Sequence, residues 1–562
     1  MESLELPRRG SESVQRYFPP KEDKSLVAAY LGLKLSEHGP VAVFCGQKSS
    51  VIKICREVLK PLERIQQLDE PIRFSDQDEI QKIGKLSELH LGSSAVVTKA
   101  IKLGVLPHSA NIPNGLRISV EHAMEYGYGR CVVCTSTLAQ GVNLPIKYLV
   151  VSGVFQGEKL ISTRDFHNLL GRAGRAGRAG RAGKHTEGSI IFADTELFDN
   201  RRTSKWRQWK QMNNLLDPSQ SESCLSSLLT LVQPFFDDPF NINPIQHITS
   251  PEEYEKFIIE AAERQKVDIK SLLRQMRQRV GYIESLESYL LANLTSDEML
   301  DGEALTELCH GTFAYSLASD AEKDKLGQVF NMVAERVKQV EAEKRPCFGK
   351  ALLGINELNV IERWLIDNIE NLDEVSDVIG ILESLWPMVA SLGMNNSLNK
   401  LIGEDAHLFF AKKWCSGVSY NEMLLQANKK AFRFRAGSQQ RRLKLENIID
   451  ICDSALGYDV MLIVGACADI IESLFGKQLL ADSVRELQLA LRIGLSNNIA
   501  KELYAIGLAD RAVALAVADR IAESEKEVSE HGKKLAMTHR DVIEPELHKF
   551  PSVFFNSLYG RT

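Results

Sequence analysis

The sequence predicts an α/β domain with a largely parallel sheet, followed by a mostly α-helical region. Between about residues 25 and 200, short apolar runs alternate with amphipathic stretches, which is typical of βα units. Beyond residue 200 strand signals nearly vanish, and long amphipathic stretches such as 268–294 and 446–474 dominate. The change in pattern indicates a domain boundary near residue 200.

The first clear strand is predicted at Val41–Cys45. Residues 48–59 then form a predicted helix, because Val51, Ile54 and Val58 recur at helical spacing. Three further strands are predicted, at 130–134, 148–152 and 189–193. Strands that alternate with helices in this way favour a parallel sheet.

Length and charge limit the classes of function. A chain of 562 residues can hold roughly three to four domains of about 150 residues. No run approaches the roughly 18 apolar residues of a membrane helix, and residues 1–10 lack the apolar core of a signal peptide. We therefore expect a cytoplasmic protein. Its net charge of −6 means that any nucleic-acid binding must come from a local basic surface.

The ten cysteines are scattered, which favours free thiols in a reducing compartment over disulfides. Only Cys131 and Cys134 have the spacing of metal or redox ligands. They lie in an apolar run without a second pair nearby, so we interpret them as part of a buried strand and predict no metal site.

Two segments carry the most specific pattern. Residues 135–145 read Thr-Ser-Thr-Leu-Ala-Gln-Gly-Val-Asn-Leu-Pro, and residues 168–175 read Asn-Leu-Leu-Gly-Arg-Ala-Gly-Arg. They resemble motifs V and VI of superfamily 2 DEAD/DEAH-type helicases, closest to the Ski-like group, in which both belong to the second of two RecA-like domains. Residues 41–59 resemble motif IV. Residues 104–124 resemble the family's connection to a helix that precedes the motif V strand, and His108 stands where that pattern usually has a histidine. The resemblance implies a RecA-like, P-loop NTPase-type fold for 25–200.

Motif VI implies arginine fingers. Phosphoryl transfer needs positive charge at the γ-phosphate, and an arginine finger can raise its rate about a thousandfold or more. Guanidinium groups suit this role because they are permanently charged and match phosphate oxygens with two donors. Counting forward from Asn168, the resemblance assigns the catalytic role to Arg172 and Arg175.

The register of motif VI is ambiguous, because residues 171–182 contain four Gly-Arg-Ala units where the family usually has about two. Counting back from Gly188 favours Arg178 and Arg181 instead. We prefer the count from Asn168, since the preceding segment places the helix start. A solvated basic loop is the alternative for the repeat taken alone.

Motif V implies contact with a nucleic-acid strand. Hydroxyls and backbone amides of Thr135, Ser136 and Thr137 can meet phosphate oxygens, although any one hydroxyl could instead stabilise the turn. The resemblance assigns four residues to coupling with the ATP cleft: Gly141, Asn143, Asn168 and Gly171.

An ATPase of this class also needs a Gly-x-x-x-x-Gly-Lys-Ser/Thr loop and a magnesium-binding Asp-Glu pair. The sequence has neither, and Gly183-Lys184 is followed by His185. We therefore expect the carboxy-terminal half of a helicase, either a truncated gene product or one subunit of a split motor. ATP and Mg²⁺ would bind only with a first RecA-like domain from another chain, and the isolated chain would not hydrolyse ATP.

Basic and aromatic residues interleave at 429–435 in the helical half. We assign Lys429, Lys430, Arg433 and Arg435 to nucleic-acid binding, since the mixture suits phosphate neutralisation and base stacking. The alternative is an amphipathic segment with core phenylalanines and solvated charges.

Residues 491–515 contain two predicted helices around the Ile506–Leu508 turn, and they resemble the helix-hairpin-helix-like tail of archaeal repair helicases of this group. Such a turn can direct amides at a phosphate, with Arg511 beside it. A simple helical hairpin is an equal alternative.

The predicted organisation is a lead-in at 1–24, the second RecA-like domain at 25–200, a linker with a possible winged helix at 201–300, and a helical bundle at 301–562. The leading hypothesis is a helicase half that acts on single-stranded DNA or RNA. The rival is a non-catalytic nucleic-acid-binding or regulatory module descended from a helicase.

Overall fold

The computed structural model describes residues 3–8, 13–65, 68–135, 144–156, 159–173, 188–222, 226–375, 377–393, 395–524 and 531–560. The chain divides into two compact units. The first comprises Met1–Glu222, Lys400–Cys452 and Ile493–Thr562, and the second comprises Ser223–Asn399 and Asp453–Arg492. The boundaries drawn along the sequence at 200 and 300 stay predictions.

The first unit is built on a five-stranded parallel sheet. Its strands are β3 (Val41–Phe44), β4 (Val105–His108), β5 (Cys131–Cys134), β6 (Tyr148–Val151) and β9 (Ser189–Phe192), in the order β4-β5-β3-β6-β9. All four pairings are parallel. Strands β3, β4 and β5 are buried at every position, which explains their continuous apolar sequence. The predicted α/β class is confirmed.

Strand β4 is a strand that the sequence analysis missed. It contains Pro107 and His108, which weaken a strand pattern. In the structure β4 lies at the edge of the sheet and pairs only with β5, a position where proline is tolerated.

Helices flank this sheet. They are α1 (Lys24–Leu35), α2 (Lys48–Arg64), α3 (Gln77–Leu91), α4 (Val96–Lys102), α5 (Asn114–Glu125), α6 (Thr163–Ala173), α7 (Thr195–Asp199) and α8 (Trp206–Asn214). Two small antiparallel pairs complete this part of the chain: β1 (Leu4–Leu6) with β2 (Arg16–Phe18), and β7 (Phe155–Gln156) with β8 (Lys159–Leu160).

The second unit is helical in its described residues. Its amino-terminal segment holds α9 (Ser227–Val232), α10 (Gln246–Thr249), α11 (Pro251–Gln265), α12 (Lys270–Asn293), α13 (Asp297–Asp301), α14 (Glu303–His310), α15 (Phe313–Leu317), α16 (Asp320–Lys338), α17 (Arg345–Phe348), α18 (Ile355–Asp373), α19 (Val378–Ser391) and α20 (Asn396–Asn399). The long helix α12 buries Leu272, Met276 and Ile283 along one face, at the spacing that the sequence pattern predicted.

Residues 400–452 return to the first unit. They contain β10 (Leu401–Ile402), α21 (Ala406–Cys415), α22 (Tyr420–Lys429), β11 (Arg433–Ala436), β12 (Gln439–Arg442) and α23 (Leu445–Ile449). Strands β10, β11 and β12 form a three-stranded antiparallel sheet. The sequence analysis did not predict these strands.

A π-helical segment, Asp450–Val460, joins α23 to α24 (Met461–Phe475), and α25 (Gln478–Ile493) follows. The run Leu445–Phe475 is long and apolar enough to cross a membrane by length and composition, but more than half of its most apolar stretch is buried within the protein. The chain ends with α26 (Asn498–Ala505), α27 (Arg511–Ser524), α28 (Gly532–Thr538), α29 (Arg540–Leu547) and α30 (Ser552–Tyr559).

Candidate nucleic-acid and nucleotide interface

The carboxyl ends of the parallel strands meet along one edge of the sheet. Phe44 at the end of β3 pairs with Cys134 of β5 and with Val151 of β6, and Val151 pairs with Phe192 of β9. Segments that leave these strands therefore emerge side by side. This edge is where ligands bind in open α/β sheets.

The motif V segment leaves this edge directly after β5. The amide of Thr135 donates to the carbonyl of His108 on the neighbouring strand at 3.2 Å, and Thr135 is only 5% exposed. Thr135 thus fixes where the segment begins. The remaining motif V predictions, Ser136, Thr137, Gly141 and Asn143, lie outside the described residues.

His108 is held from the opposite side by a carboxylate. Its imidazole Nε2 lies 2.7 Å from Oε1 of Glu121 on α5, and the histidine is almost fully buried. The pair fixes the end of β4, whose carbonyl receives the Thr135 amide. His108 therefore supports motif V from within the protein.

The motif VI helix, α6, has a firmly bound amino terminus. The carboxylate of Glu222 accepts the amides of Thr163 at 2.9 Å and Arg164 at 3.3 Å, which satisfies two of the amides that a helix start leaves unpaired. Slight burial would raise the pKa of Glu222, but these amides hold the pKa below its usual value. The sequence analysis did not identify Glu222, which lies about sixty residues downstream.

Helix α6 turns one face to the core and another to solvent. Phe166 and Leu169 are fully buried, whereas Asn168 is exposed. Gly171 and Arg172 lie in the last turn of the same helix. Arg175 and the rest of the repeat to residue 187 lie outside the described residues.

Cys131 and Cys134 lie on β5 and are buried, as the strand interpretation predicts. Burial raises the pKa of Cys131 to about 12 and that of Cys134 well above its usual value. Both thiols are therefore protonated at neutral pH and are poor metal ligands. Within the described residues, no group of three or more histidine, cysteine or acidic side chains could hold a metal ion.

The predicted basic segment forms a hairpin, which we call the arginine hairpin and define as residues 433–442. Arg433 on β11 pairs directly with Arg442 on β12, and Arg435 lies two positions further along β11. In the described part of the chain, no carboxylate lies within 4.0 Å of these arginines or of Arg441. Like charges directly opposite each other destabilise a sheet, so this surface favours an anionic ligand.

The two phenylalanines at positions 432 and 434 of the basic segment are not exposed to solvent as the predicted base stacking requires. Phe432 is buried, and its ring lies 5.4 Å from that of Phe409. Phe434 is half-buried. Lys429 and Lys430 are exposed at the end of α22. The structure thus separates the two predicted properties: the cations face solvent, and Phe432 belongs to the core.

The turn at 506–510 is closed by its own backbone. The amides of Gly507, Leu508, Ala509 and Asp510 all donate to carbonyls within residues 503–508. None of these four amides is therefore directed at an external phosphate. The geometry is that of a simple helical hairpin, the second of the two interpretations given above.

Arg511 is buried beside this turn. Its guanidinium donates to the carbonyls of Trp414 at 3.2 Å and Gly494 at 2.8 Å, and it lies 4.0 Å from the centre of the Trp414 ring. The predicted phosphate contact of Arg511 would require it to leave these partners. Arg511 thus links the start of α27 to Trp414 of α21 and to Gly494, and its guanidinium faces these partners rather than a phosphate.

Several known proteins related to the chain are named as helicases. The chain is 23% identical to the Hachiman protein HamB of Bacillus cereus over 538 residues, which cover 92% of this chain and 44% of that protein. It is 27% identical over 173 residues to Helicase POLQ-like of Drosophila melanogaster, covering 31% of this chain and 16% of that protein. It is 31% identical over 124 residues to ATP-dependent DNA helicase Hel308 of Caldivirga maquilingensis, covering 21% and 15%.

No protein-family profile matches the chain. The chain spans less than half the length of each of these relatives. It is nevertheless related to helicases, and its parallel sheet followed by a helical region agrees with a RecA-like domain and an accessory region.

Proposed function

We propose that this chain is the second motor domain and helical accessory region of an ATP-dependent helicase or translocase. The observation that carries the proposal is α6, a helix that is anchored in the core by Phe166 and Leu169, exposes Asn168 and carries Arg172 in its last turn. This arrangement is suited to presenting a guanidinium to a nucleotide bound by a facing domain.

ATP and Mg²⁺ would be held mainly by a first RecA-like domain outside this sequence, on another chain or on another part of a longer one. Arg172 and Arg175 would supply positive charge at the γ-phosphate. Asn168, Gly171, Gly141 and Asn143 would link that cleft to the strand contact. When bound, the nucleotide supplies the free energy for translocation.

The nucleic-acid strand would contact the motif V segment at the carboxyl edge of the sheet. Because Thr135 is buried and its amide is used by His108, we assign the phosphate contacts to Ser136 and Thr137, with Thr135 as their anchor. The names of the relatives include a DNA helicase and an RNA helicase, so the proposed ligand is single-stranded DNA or RNA.

A second nucleic-acid contact would be the arginine hairpin. Its exposed Arg435 and half-buried Arg433, together with the exposed Lys429 and Lys430 at the end of α22, would neutralise phosphates, without base stacking by Phe432. We also propose a cytoplasmic location, since all nine described cysteines are free thiols.

The decisive experiment measures strand-stimulated ATP hydrolysis by this chain alone and with a protein that carries the first RecA-like domain. We expect hydrolysis only in the mixture, and Arg172→Ala should lower its rate about a thousandfold. The matched control is Arg164→Ala, which removes an exposed arginine from the first turn of the same helix.

Three results would contradict parts of the proposal. Turnover by the pure chain would show that it contains a complete nucleotide site. A loss of ATP hydrolysis with Arg178→Ala or Arg181→Ala, but not with Arg172→Ala, would show that the arginine fingers lie two repeat units later in the sequence. Strand binding without hydrolysis in any mixture would support the non-catalytic module, which the relatives do not favour.

A further inference from the structure

A cavity of about 610 Å³ opens at the same sheet edge as motif V, and we call it the edge cavity. It is lined by the residues that follow β6, from Ser152 to Phe155, and by Phe192 and Asp194 at the end of β9. Its volume is within the range of small-ligand sites, which is about 300–1,000 Å³.

The position of the edge cavity follows from the sheet topology. From β3 the chain proceeds to β4 and β5 on one side, whereas β6 and β9 lie on the other side. The carboxyl ends of β3 and β6 therefore flank the point where the strand order reverses, which is where open α/β sheets bind ligands. The edge cavity lies next to this reversal, at the carboxyl ends of β6 and β9.

The edge cavity is close to the start of motif V. Thr135 follows β5 and Ser152 follows β6, and β3 lies between these two strands. Neighbouring strands are about 4.8 Å apart, so the two positions are separated by about 10 Å. A nucleic-acid strand bound at the segment after β5 would therefore pass within about one or two nucleotides of the edge cavity.

The lining of the edge cavity combines an apolar interior with an aromatic wall. Leu197, Val154 and Met212 are buried in it, and Phe155 exposes 39% of its surface at the mouth. Gly46 allows this arrangement, because a Cβ at that position would lie 1.9 Å from the carbonyl oxygen of Phe155. An exposed phenylalanine beside an apolar floor suits a planar ring.

The charges around the edge cavity are nearly balanced, since three lysines and four carboxylates, Glu22 among them, line it. Three ion pairs line it: Lys24 with Asp194 at 2.9 Å, Lys53 with Asp23 at 2.7 Å, and Lys205 with Glu196 at 3.5 Å. Paired ammonium and carboxylate groups attract a phosphate weakly. They do offer donors and acceptors together, as the hydrogen-bonding edge of a nucleobase requires.

We propose that the edge cavity receives one base of the nucleic-acid strand that motif V contacts, with Phe155 stacked on that base. The ligand class is a neutral nucleobase, and the phosphates of the strand stay outside the cavity. The inference rests on the proposed function for the source of the base. It adds a base contact next to β6 and β9, whereas motif V follows β5 on the other side of the central strand β3.

The test uses the full chain and the shortest single strand that keeps full affinity, so that the strand binds in one register. The base analogue 2-aminopurine replaces each base in turn, and anisotropy measures affinity separately. We expect one or two adjacent positions to change in fluorescence. Phe155→Ala should abolish this change and weaken binding about fivefold, whereas Tyr17→Ala, which removes an exposed aromatic side chain of β2, should do neither.

Full strand binding with the same fluorescence at every position would overturn the edge cavity as a base site and leave the proposed function intact. A positional signal that survives Phe155→Ala would overturn it too. Absence of strand binding would instead count against the proposed function. In that case saturation-transfer NMR with free adenosine and cytidine tests the edge cavity separately. A saturation-transfer signal that is lost in Phe155→Ala supports the base site, and absence of any signal overturns it.

Discussion

The imidazole Nε2 of His90 lies 2.7 Å from Oδ2 of Asp510, and both side chains are almost fully buried. His90 is in the last turn of α3, and Asp510 directly precedes α27. The other carboxylate oxygen of Asp510 accepts the amides of Ala512 and Val513. Burial would raise the pKa of Asp510, but His90 and these amides hold it below its usual value. One carboxylate thus binds the sheet domain to the carboxy-terminal helices.

We expect Asp510→Ala to destabilise the first unit by about 3 kcal/mol, because it leaves His90 buried without its partner and removes the cap of α27. Urea unfolding followed by intrinsic fluorescence measures the effect. The control is Asp519→Ala, on the exposed face of α27. Equal midpoints for the two variants would contradict a structural role for the pair.

We expect the second unit to lose stability with rising pH through Glu284. Burial raises the pKa of Glu284 to about 7, and repulsion from Glu357 and Glu287 adds to the shift. Because the pKa is higher in the folded than in the unfolded state, the stabilising contribution is complete below the ordinary pKa of 4.5 and is lost as pH rises through about 7. Thermal unfolding of the wild type and Glu284→Gln at pH 5 and pH 8 measures this.

The glutamine variant should gain stability relative to the wild type at pH 8 and lose this advantage at pH 5. Glu298→Gln, at an exposed position of α13, serves as the control and should follow the wild type at both values. A constant difference between wild type and Glu284→Gln would show that Glu284 does not titrate in this range.

We expect the arginine hairpin to contribute a salt-dependent, sequence-independent part of strand affinity. Arg441→Ala and Arg442→Ala should each reduce the slope of log affinity against log salt by about one. Anisotropy titrations from 50 to 200 mM salt on two unrelated sequences give the slope. Arg73→Ala, an exposed arginine paired with Asp69, is the control. An unchanged slope in both hairpin variants would exclude the hairpin from the interface.

We expect Gly46→Ala to cost about 1–3 kcal/mol of stability, because the new methyl group would overlap the carbonyl of Phe155 and the backbone would have to move. The control is Gly153→Ala, whose Cβ would meet only the end of the Lys24 side chain at 3.7 Å. Denaturant midpoints compare the two. If Gly46→Ala leaves the denaturant midpoint unchanged, the β7–β8 pair can move away from the end of β3 at little cost in free energy.

Several parts of the sheet were predictable because their signals are local. Val41–Phe44 and Cys131–Cys134 are apolar throughout since both faces of these strands are covered. The edge strand β4 was missed because Pro107 and His108 obscure its pattern. The strands of the arginine hairpin were missed because its residues are mostly exposed and charged. Its signal was Gly437, which adopts a positive φ in the turn between β11 and β12.

The sequence by itself determined the parallel α/β class and the helical character of the rest, because periodicity is a property of neighbouring residues. Only the tertiary structure decided that Arg511 is buried against Trp414, that Asp510 pairs with His90 some 420 residues away, and that Phe155 borders a cavity. Burial and pairing depend on which distant segments meet, and the free energy that selects those contacts is shared across the whole fold.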